Sequence, residues 1–153
     1  MELKQRSELK EFNSLYKEVD ELYHRIALEI GLSDSAFLIM YSTVEFGDGC
    51  LQKDIADHYF ISRKTINSSI KNLESRGFIE LKKEKRRDMH LYLTRAGQKF
   101  VDEKIMPIFE MENSIFEEFS EEECQQFMQL TKKYVMLCRK KIKETYHLSS
   151  EDL

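Results

Sequence analysis

The chain has 153 residues and a formal net charge of −4, with 41% hydrophobic and 34% charged residues, as expected of one helix-rich domain with a sizeable core, or of two small units that share one core. No apolar run approaches the ~20 residues that span a bilayer, and the N-terminus lacks the apolar centre of a signal peptide, so we expect a cytoplasmic protein without a membrane segment. The three cysteines are widely spaced and form no C-x-x-C pattern, which argues against a disulfide framework or a structural zinc site.

Helical periodicity dominates the first part of the chain. Apolar side chains recur every three or four positions from residue 8 to residue 30, which predicts an amphipathic helix. Gly31 then suits the end of that helix, because glycine adopts a left-handed conformation without a steric penalty. Ser33 is a suitable cap for a second helix, which we expect to run to about Phe46 and to end at Gly47-Asp48-Gly49.

Two short helices joined by a turn are predicted next. The third helix covers Leu51–Tyr59, with Leu51, Ile55 and Ala56 facing inward. A turn at Phe60 and Ile61 follows, and Ser62 then caps a fourth helix that ends at Gly77. The inward positions of this fourth helix are Ile66, Ile70 and Leu73.

The apolar period changes from 3.6 to 2 after the fourth helix. Residues 78–81 and 89–93 alternate as two strands of a hairpin. The loop between them is KKEKRRD, residues 82–88, with five basic and two acidic side chains. A charged hairpin tip can simply protect an edge from aggregation, but that need does not account for this excess of positive charge.

Two long helices complete the predicted fold. Thr94 is expected to cap a helix that runs to about Phe119, with a kink at Pro107. Ser120 and Glu123 form an S-x-x-E capping box that opens a last helix to about Tyr146. The fold class is therefore mainly α, a winged helix-turn-helix with a small two-stranded β-wing between long N- and C-terminal helices.

Charge is distributed unevenly along the chain. Residues 51–99 carry 12 Lys and Arg against 6 Asp and Glu, whereas the remainder carries 12 against 22. A basic middle in an acidic chain favours a polyanionic partner such as double-stranded DNA, although charge runs are also common on solvated surfaces. The alternative from another class is a winged helix that binds an acidic protein partner through its hairpin.

The outward positions of the fourth helix favour DNA, because they hold no acidic residue before Glu74. Arginine and asparagine suit base edges, serine and threonine suit bases or phosphates, and lysine suits phosphates. A hairpin tip rich in arginine suits a narrow minor groove. The candidate DNA-binding residues are Ser62, Arg63, Lys64, Thr65, Asn67, Ser68 and Lys71 on the helix, and Lys83, Lys85, Arg86 and Arg87 on the wing.

Two stretches, LESRGFI and LYLTRAG, give the chain a resemblance to the MarR family of winged-helix transcription regulators over residues 8–146. The family has a D-x-R in the wing followed by L-x-L-T-x-x-G, and His90 stands here in place of that arginine. Because His90 departs from the family pattern, we expect Arg86 or Arg87 to take over the usual wing contact. The resemblance also implies a homodimer on a palindromic operator, often controlled by a small ligand or an oxidant. The matching residues are Asp88, Leu91, Leu93, Thr94 and Gly97.

The resemblance suggests a division of a single domain, residues 1–153, into a DNA-binding lobe at 33–97 and dimerisation helices at 1–32 and 98–147. The apolar stripes of the terminal helices agree, because a chain of this size can bury only part of them in its own core. A small aromatic effector is conceivable in a cleft lined by Tyr16, Tyr23 and Phe37, with simple core packing as the alternative.

The remaining reactive side chains suggest no catalytic or metal site. Cys50, Cys124 and Cys138 are better interpreted as structural than as redox-active, although a redox-responsive regulator is the alternative. The four histidines lack metal-ligand spacing, and no nucleophile elbow, phosphate loop or H-E-x-x-H motif occurs. We therefore expect a protein that is not an enzyme and needs no cofactor.

Overall fold

The computed structural model describes residues 4–83 and 89–149, and most of these residues are helical. The mainly α, winged helix-turn-helix prediction is confirmed. No helix in the described part of the chain is both long enough and apolar enough to cross a membrane. The helices are α1 (Ser7–Glu29), α2 (Asp34–Glu45), α3 (Gln52–His58), α4 (Arg63–Ser75), α5 (Arg95–Phe100), α6 (Met106–Glu117) and α7 (Glu121–Tyr146), and the strands are β1 (Cys50–Leu51), β2 (Ile79–Lys83) and β3 (Met89–Leu93).

The chain divides into two compact units, residues 1–107 and residues 108–153. The core of the first unit is built around α2, which packs against α4, α1 and the segment after α5. Six of the twelve residues of α2 are buried, and the Ser42 and Thr43 hydroxyls donate to backbone carbonyls of the same helix. The largest fully buried side chains of this unit are Ile39, Met40, Ile55, Ile66, Ile70, Leu73, Leu91 and Ile105.

Helix starts follow the cap residues of the sequence. In each of four caps a hydroxyl oxygen accepts a hydrogen bond from the backbone N–H three residues later, at 3.0 to 3.3 Å. These bonds satisfy N–H groups that have no partner inside the helix. The last of these caps is a full capping box, because the Ser120 N–H also donates to the Glu123 carboxylate at 2.8 Å. The cap residues are Ser33, Ser62, Thr94 and Ser120.

The sheet has three antiparallel strands in the order β1-β3-β2, where the sequence predicts only the β2–β3 hairpin. Cys50 pairs with Leu91 and Leu51 pairs with His90, so Leu51 belongs to a strand rather than to α3. The Gly49 N–H extends this ladder by donating to the Leu91 carbonyl at 2.8 Å. Strand β1 supplies backbone hydrogen-bond partners to the edge of β3 that does not pair with β2.

The single helix predicted from Thr94 to Phe119 consists of three segments. A π-helical turn, Val101–Ile105, separates α5 from α6, and the Met106 N–H donates to the Val101 carbonyl five residues earlier. Pro107 has no N–H, and its ring crowds the carbonyl four residues back, which lies within this turn. The regular hydrogen-bond pattern is therefore interrupted just before the proline.

Candidate nucleic-acid interface

The helix-turn-helix consists of α3, the turn at residues 59–62 and α4. Ile55 and Ala56 are buried on the inner side of α3, and α3 packs against α4. The three predicted inward positions of α4 are buried, at 0 to 2% exposure. The orientation of α4 about its own axis is thereby fixed, because rotation would bring Ile66, Ile70 and Leu73 into water.

The opposite side of α4 carries the predicted DNA-binding residues, and every one of them is exposed. We call these seven residues the α4 polar surface: Ser62, Arg63, Lys64, Thr65, Asn67, Ser68 and Lys71. Its three cations are accompanied by no acidic side chain before Glu74. A positive, hydrogen-bonding surface on one helix is the chemistry that base edges and phosphates require.

Few groups of the α4 polar surface are engaged within the protein. Ser62 Oγ caps the helix by accepting from the Thr65 N–H at 3.1 Å, and the two hydroxyl oxygens lie 2.8 Å apart. Among the described residues, the side chains of Arg63, Lys64 and Asn67 make no hydrogen bond or ion pair. These groups are consequently available to an external ligand.

Two contacts that sequence reasoning missed hold α4 in place. Ser69 is buried, and its Oγ lies 2.6 Å from Ser35 Oγ on α2. At the C-terminal end of the helix, Arg76 Nη1 donates to the Gly31 carbonyl at 2.8 Å. The Arg76 guanidinium also lies 4.8 Å from the centre of the Phe78 ring. The helical period gives a signal for Ser69, since position 69 falls between the buried positions 66 and 73.

The described part of the wing is β2 and β3. Lys83 is exposed at the end of β2, opposite Met89. Lys82 is engaged within the sheet, because its Nζ lies 2.7 Å from the Glu80 carboxylate on β2 and 4.7 Å from the ring centre of Tyr92 on β3. The predicted wing residues Lys85, Arg86 and Arg87 lie outside the described residues.

His90, at the position of the family's wing arginine, faces back toward the sheet. Its Nδ1 lies 2.8 Å from the Gly49 carbonyl oxygen, and the ring is half-buried. A second hydrogen bond holds the adjacent segment, since the Leu93 N–H donates to Asp48 Oδ1 at 2.9 Å. His90 thus stabilises the junction of β1 and β3.

The base of the wing is tied to the end of α4 through Thr94. Its hydroxyl donates to the Gly77 carbonyl at 2.6 Å, and its N–H donates to the Phe78 carbonyl at 3.0 Å. The same hydroxyl oxygen caps α5. Thr94 therefore joins the end of α4, the start of the wing and the first turn of α5.

The three predicted ligand-binding aromatics lie in different environments. Tyr23 and Phe37 are neighbours, with ring centres 6.5 Å apart, and Tyr41, which the sequence did not single out, lies 5.8 Å from Phe37. Phe37 is only 4% exposed, so its present role is core packing. Tyr16 is 62% exposed and stacks on Phe12 at 6.3 Å.

Of the three cysteines expected to be structural, Cys50 and Cys124 are half-buried and Cys138 is exposed. Burial raises the pKa of the Cys50 thiol to about 11, so the reactive thiolate is scarce at neutral pH. Within residues 4–83 and 89–149, no group of three or more His, Cys, Asp or Glu side chains could hold a metal ion.

Two short helices, a turn and a hairpin that returns beside them define a winged helix-turn-helix protein. The family resemblance of the sequence is confirmed, because the model of the MarR family matches residues 30–87. No curated protein matches the chain significantly.

Solved structures share the fold across almost the whole chain. NMB1585, a MarR family regulator from Neisseria meningitidis, aligns over 92% of this chain and 99% of its own, with a TM-score of 0.76 and 18% identity. MepR of S. aureus, solved as a complex with DNA, aligns over 87% and 99%, with a TM-score of 0.66 and 24% identity. A MarR regulator from Methanosarcina mazei aligns over 91% and 94%, with a TM-score of 0.63 and 16% identity.

Proposed function

We propose that this protein is a sequence-specific, double-stranded-DNA-binding transcriptional regulator with no enzymatic activity. The observation that carries the proposal is the α4 polar surface. Its seven residues are all exposed, whereas the opposite side of the helix is buried in the core. The second helix of a helix-turn-helix lies in the major groove, with its N-terminal residues at base edges. MepR, a protein of the same fold, was solved in a complex with DNA, which agrees with this proposal.

The residues of the surface divide by chemistry. Arg63 suits the O6 and N7 atoms of guanine, and Asn67 suits the N6 and N7 atoms of adenine. Lys64 and Lys71 are suited to phosphates, which position the protein without reading sequence. We assign the minor groove beside α4 to the wing, with Arg86 and Arg87 in the groove and Lys83 and Lys85 at phosphates.

We further propose that the regulator is a two-fold homodimer on a palindromic operator. The first observation behind this is the apolar side of α1, which leaves seven large side chains at least 39% exposed. The second is α7, a helix of 26 residues in which none is buried. Such helices gain stability by packing against a second copy. The exposed residues of α1 are Leu9, Phe12, Leu15, Tyr16, Val19, Leu22 and Leu28.

The DNA-binding proposal is tested by selecting duplexes from a random library with the full-length protein and measuring affinities for the selected site. Arg63→Ala and Asn67→Ala should each cost roughly 1–3 kcal/mol of binding free energy and relax the preference at one position per half-site. Lys17→Ala, which removes an exposed cation from α1, is the matched control and should bind like the wild type. A wild-type protein that enriches no common sequence would refute the proposal.

The dimer is tested by sedimentation equilibrium and by the geometry of the selected site. Two half-sites about one helical turn apart, ~34–36 Å, are expected in inverted orientation. Val19→Glu, which places a charge in the exposed apolar side of α1, should shift the protein toward the monomer. A wild type that sediments only at 18.3 kDa at micromolar concentration would contradict the proposal.

We also propose that a small aromatic effector, bound near Tyr16, Tyr23 and Phe37, controls DNA binding. A screen of aromatic acids should identify a compound that changes both the melting temperature and the DNA affinity. Tyr23→Ala should lose that response, whereas Tyr146→Ala, at the exposed end of α7, should keep it. If no compound changes the melting temperature or the DNA affinity, the effector proposal is wrong. Cysteine oxidation is the minor alternative, and it is excluded if peroxide leaves wild-type DNA binding unchanged.

A further inference from the structure

Phe60, in the turn between α3 and α4, combines two unfavourable properties. Its φ angle is 53°, in the left-handed region, and its side chain is 90% exposed. The backbone is held there by its neighbours, since the Ile61 N–H donates to the Ala56 carbonyl at 3.0 Å and the Tyr59 N–H to the Ile55 carbonyl at 3.1 Å. The turn therefore imposes this conformation on whichever residue occupies position 60.

Folding alone does not explain a phenylalanine at this position. A residue with a Cβ is sterically strained in the left-handed conformation, whereas glycine is not. A ring that is 90% exposed gains almost none of the burial energy that would offset the strain. Glycine would satisfy the turn better on both counts, so an external partner is the remaining reason for the ring.

The aromatic residues beside Phe60 are used within the protein, which distinguishes them from it. Tyr59 donates its hydroxyl hydrogen to Glu45 Oε2 at 2.6 Å, and its ring centre lies 4.8 Å from that of His58. The ring centre of His58 also lies 4.9 Å from that of Phe46, with the two ring planes at 85°. In the described part of the chain, the Phe60 ring takes part in no such contact.

We propose that Phe60 contacts the 5-methyl group of a thymine in the major groove and so contributes to sequence specificity. This inference rests on the proposed DNA-binding function. Phe60 lies two residues before the Ser62 cap, next to the helix end that approaches the base edges. The thymine methyl is the apolar group on those edges, and aromatic side chains pack against it. Arg63 and Lys64, just beyond the cap, supply the contacts to polar base atoms and phosphates.

The test removes either the ring or the methyl. Each thymine of the selected duplex is replaced in turn by deoxyuridine, which lacks only the 5-methyl group. At one position per half-site the wild-type affinity should fall by about fourfold, the effect of exposing one buried methyl. Phe60→Gly should bind the thymine duplex more weakly and should not respond to uracil at that position. Phe60→Tyr, which keeps the ring, should respond as the wild type does.

Melting temperature and oligomeric state complete the test. Phe60→Gly should melt no lower than the wild type, because glycine relieves the strain and the lost ring packs on nothing inside the protein. A lower melting temperature, or loss of self-association with unchanged DNA affinity, would assign the ring to the fold or to a protein contact instead. A specific wild-type complex in which Phe60→Gly responds to every uracil like the wild type overturns this inference alone. A wild type that selects no duplex removes the proposed function and this inference with it.

Discussion

Gly97→Ala tests how closely the first turn of α5 approaches the start of the wing. Gly97 is buried, and a Cβ atom at this position would lie 1.8 Å from the Phe78 carbonyl oxygen and 2.8 Å from the Phe78 carbonyl carbon. Backbone atoms cannot rotate away as the end of a side chain can. The first turn of α5 and the residue before β2 must therefore separate by more than about 1 Å.

The expected loss of stability follows from what this separation disturbs. Overpacking of a well-packed site costs about 1–3 kcal/mol, and the displaced Phe78 carbonyl accepts the Thr94 N–H, a hydrogen bond that contributes about 1 kcal/mol. Alanine recovers about 1 kcal/mol through its higher helix propensity. The net loss should be about 1–3 kcal/mol, which lowers the melting temperature by about 2–12 °C in a protein of this size.

Urea unfolding followed by circular dichroism measures this loss as a lower midpoint at an unchanged slope. Ala96→Gly is the matched control, because residue 96 is exposed in the same turn. It should lose only the ~1 kcal/mol of helix propensity. If Gly97→Ala unfolds at the wild-type midpoint or above it, the close approach of α5 to Phe78 is wrong.

Three further predictions concern a cap, a pH dependence and the wing. Ser62→Ala removes the cap of α4 and should lower the free energy of unfolding by about 1 kcal/mol in the same assay. The hydrogen bond that His24 Nδ1–H donates to the Asp34 carboxylate, together with the negative charge of Asp34, raises the pKa of His24 above its ordinary value of 6.5. Its stabilisation is therefore full below that value and is lost as pH rises through the folded-state pKa, so Asp34→Asn should flatten the melting temperature between about pH 5 and 8. Lys85→Ala should weaken binding to all duplexes and reduce the log–log salt slope by about 1, whereas Arg86→Ala should weaken binding most beside A·T-rich flanks. Equal operator affinity of the Arg86 variant and the wild type at low salt would refute the minor-groove assignment.

Features set by neighbouring residues could be predicted from the sequence. A cap depends on one hydroxyl and an N–H three residues away, so Ser33, Thr94 and Ser120 were recognisable without any knowledge of the fold. The inward side of α4 follows from the helical period, and the exposed side follows by exclusion. The α4 residues expected to contact DNA are therefore exposed as predicted, and their binding roles stay predictions.

Features that depend on distant partners could not be predicted. β1 is only two residues long, too short for an alternating pattern, and it is defined by pairing with β3 about 40 positions later. The Ser35–Ser69 contact spans 34 positions and involves two residues that are individually ordinary. The left-handed backbone of Phe60 is imposed by the turn, and a phenylalanine gives no signal for it.

The short strand β1 has a mechanical consequence for regulation. Its two residues are bonded to β3, and α3 begins at the next residue, Gln52. Because β1 is continuous with α3 and hydrogen-bonded to β3, a displacement of α3 is transmitted to the strand that carries the hairpin. In the proposed complex, a displacement of α3 would therefore disturb the contacts of α4 and those of the wing together.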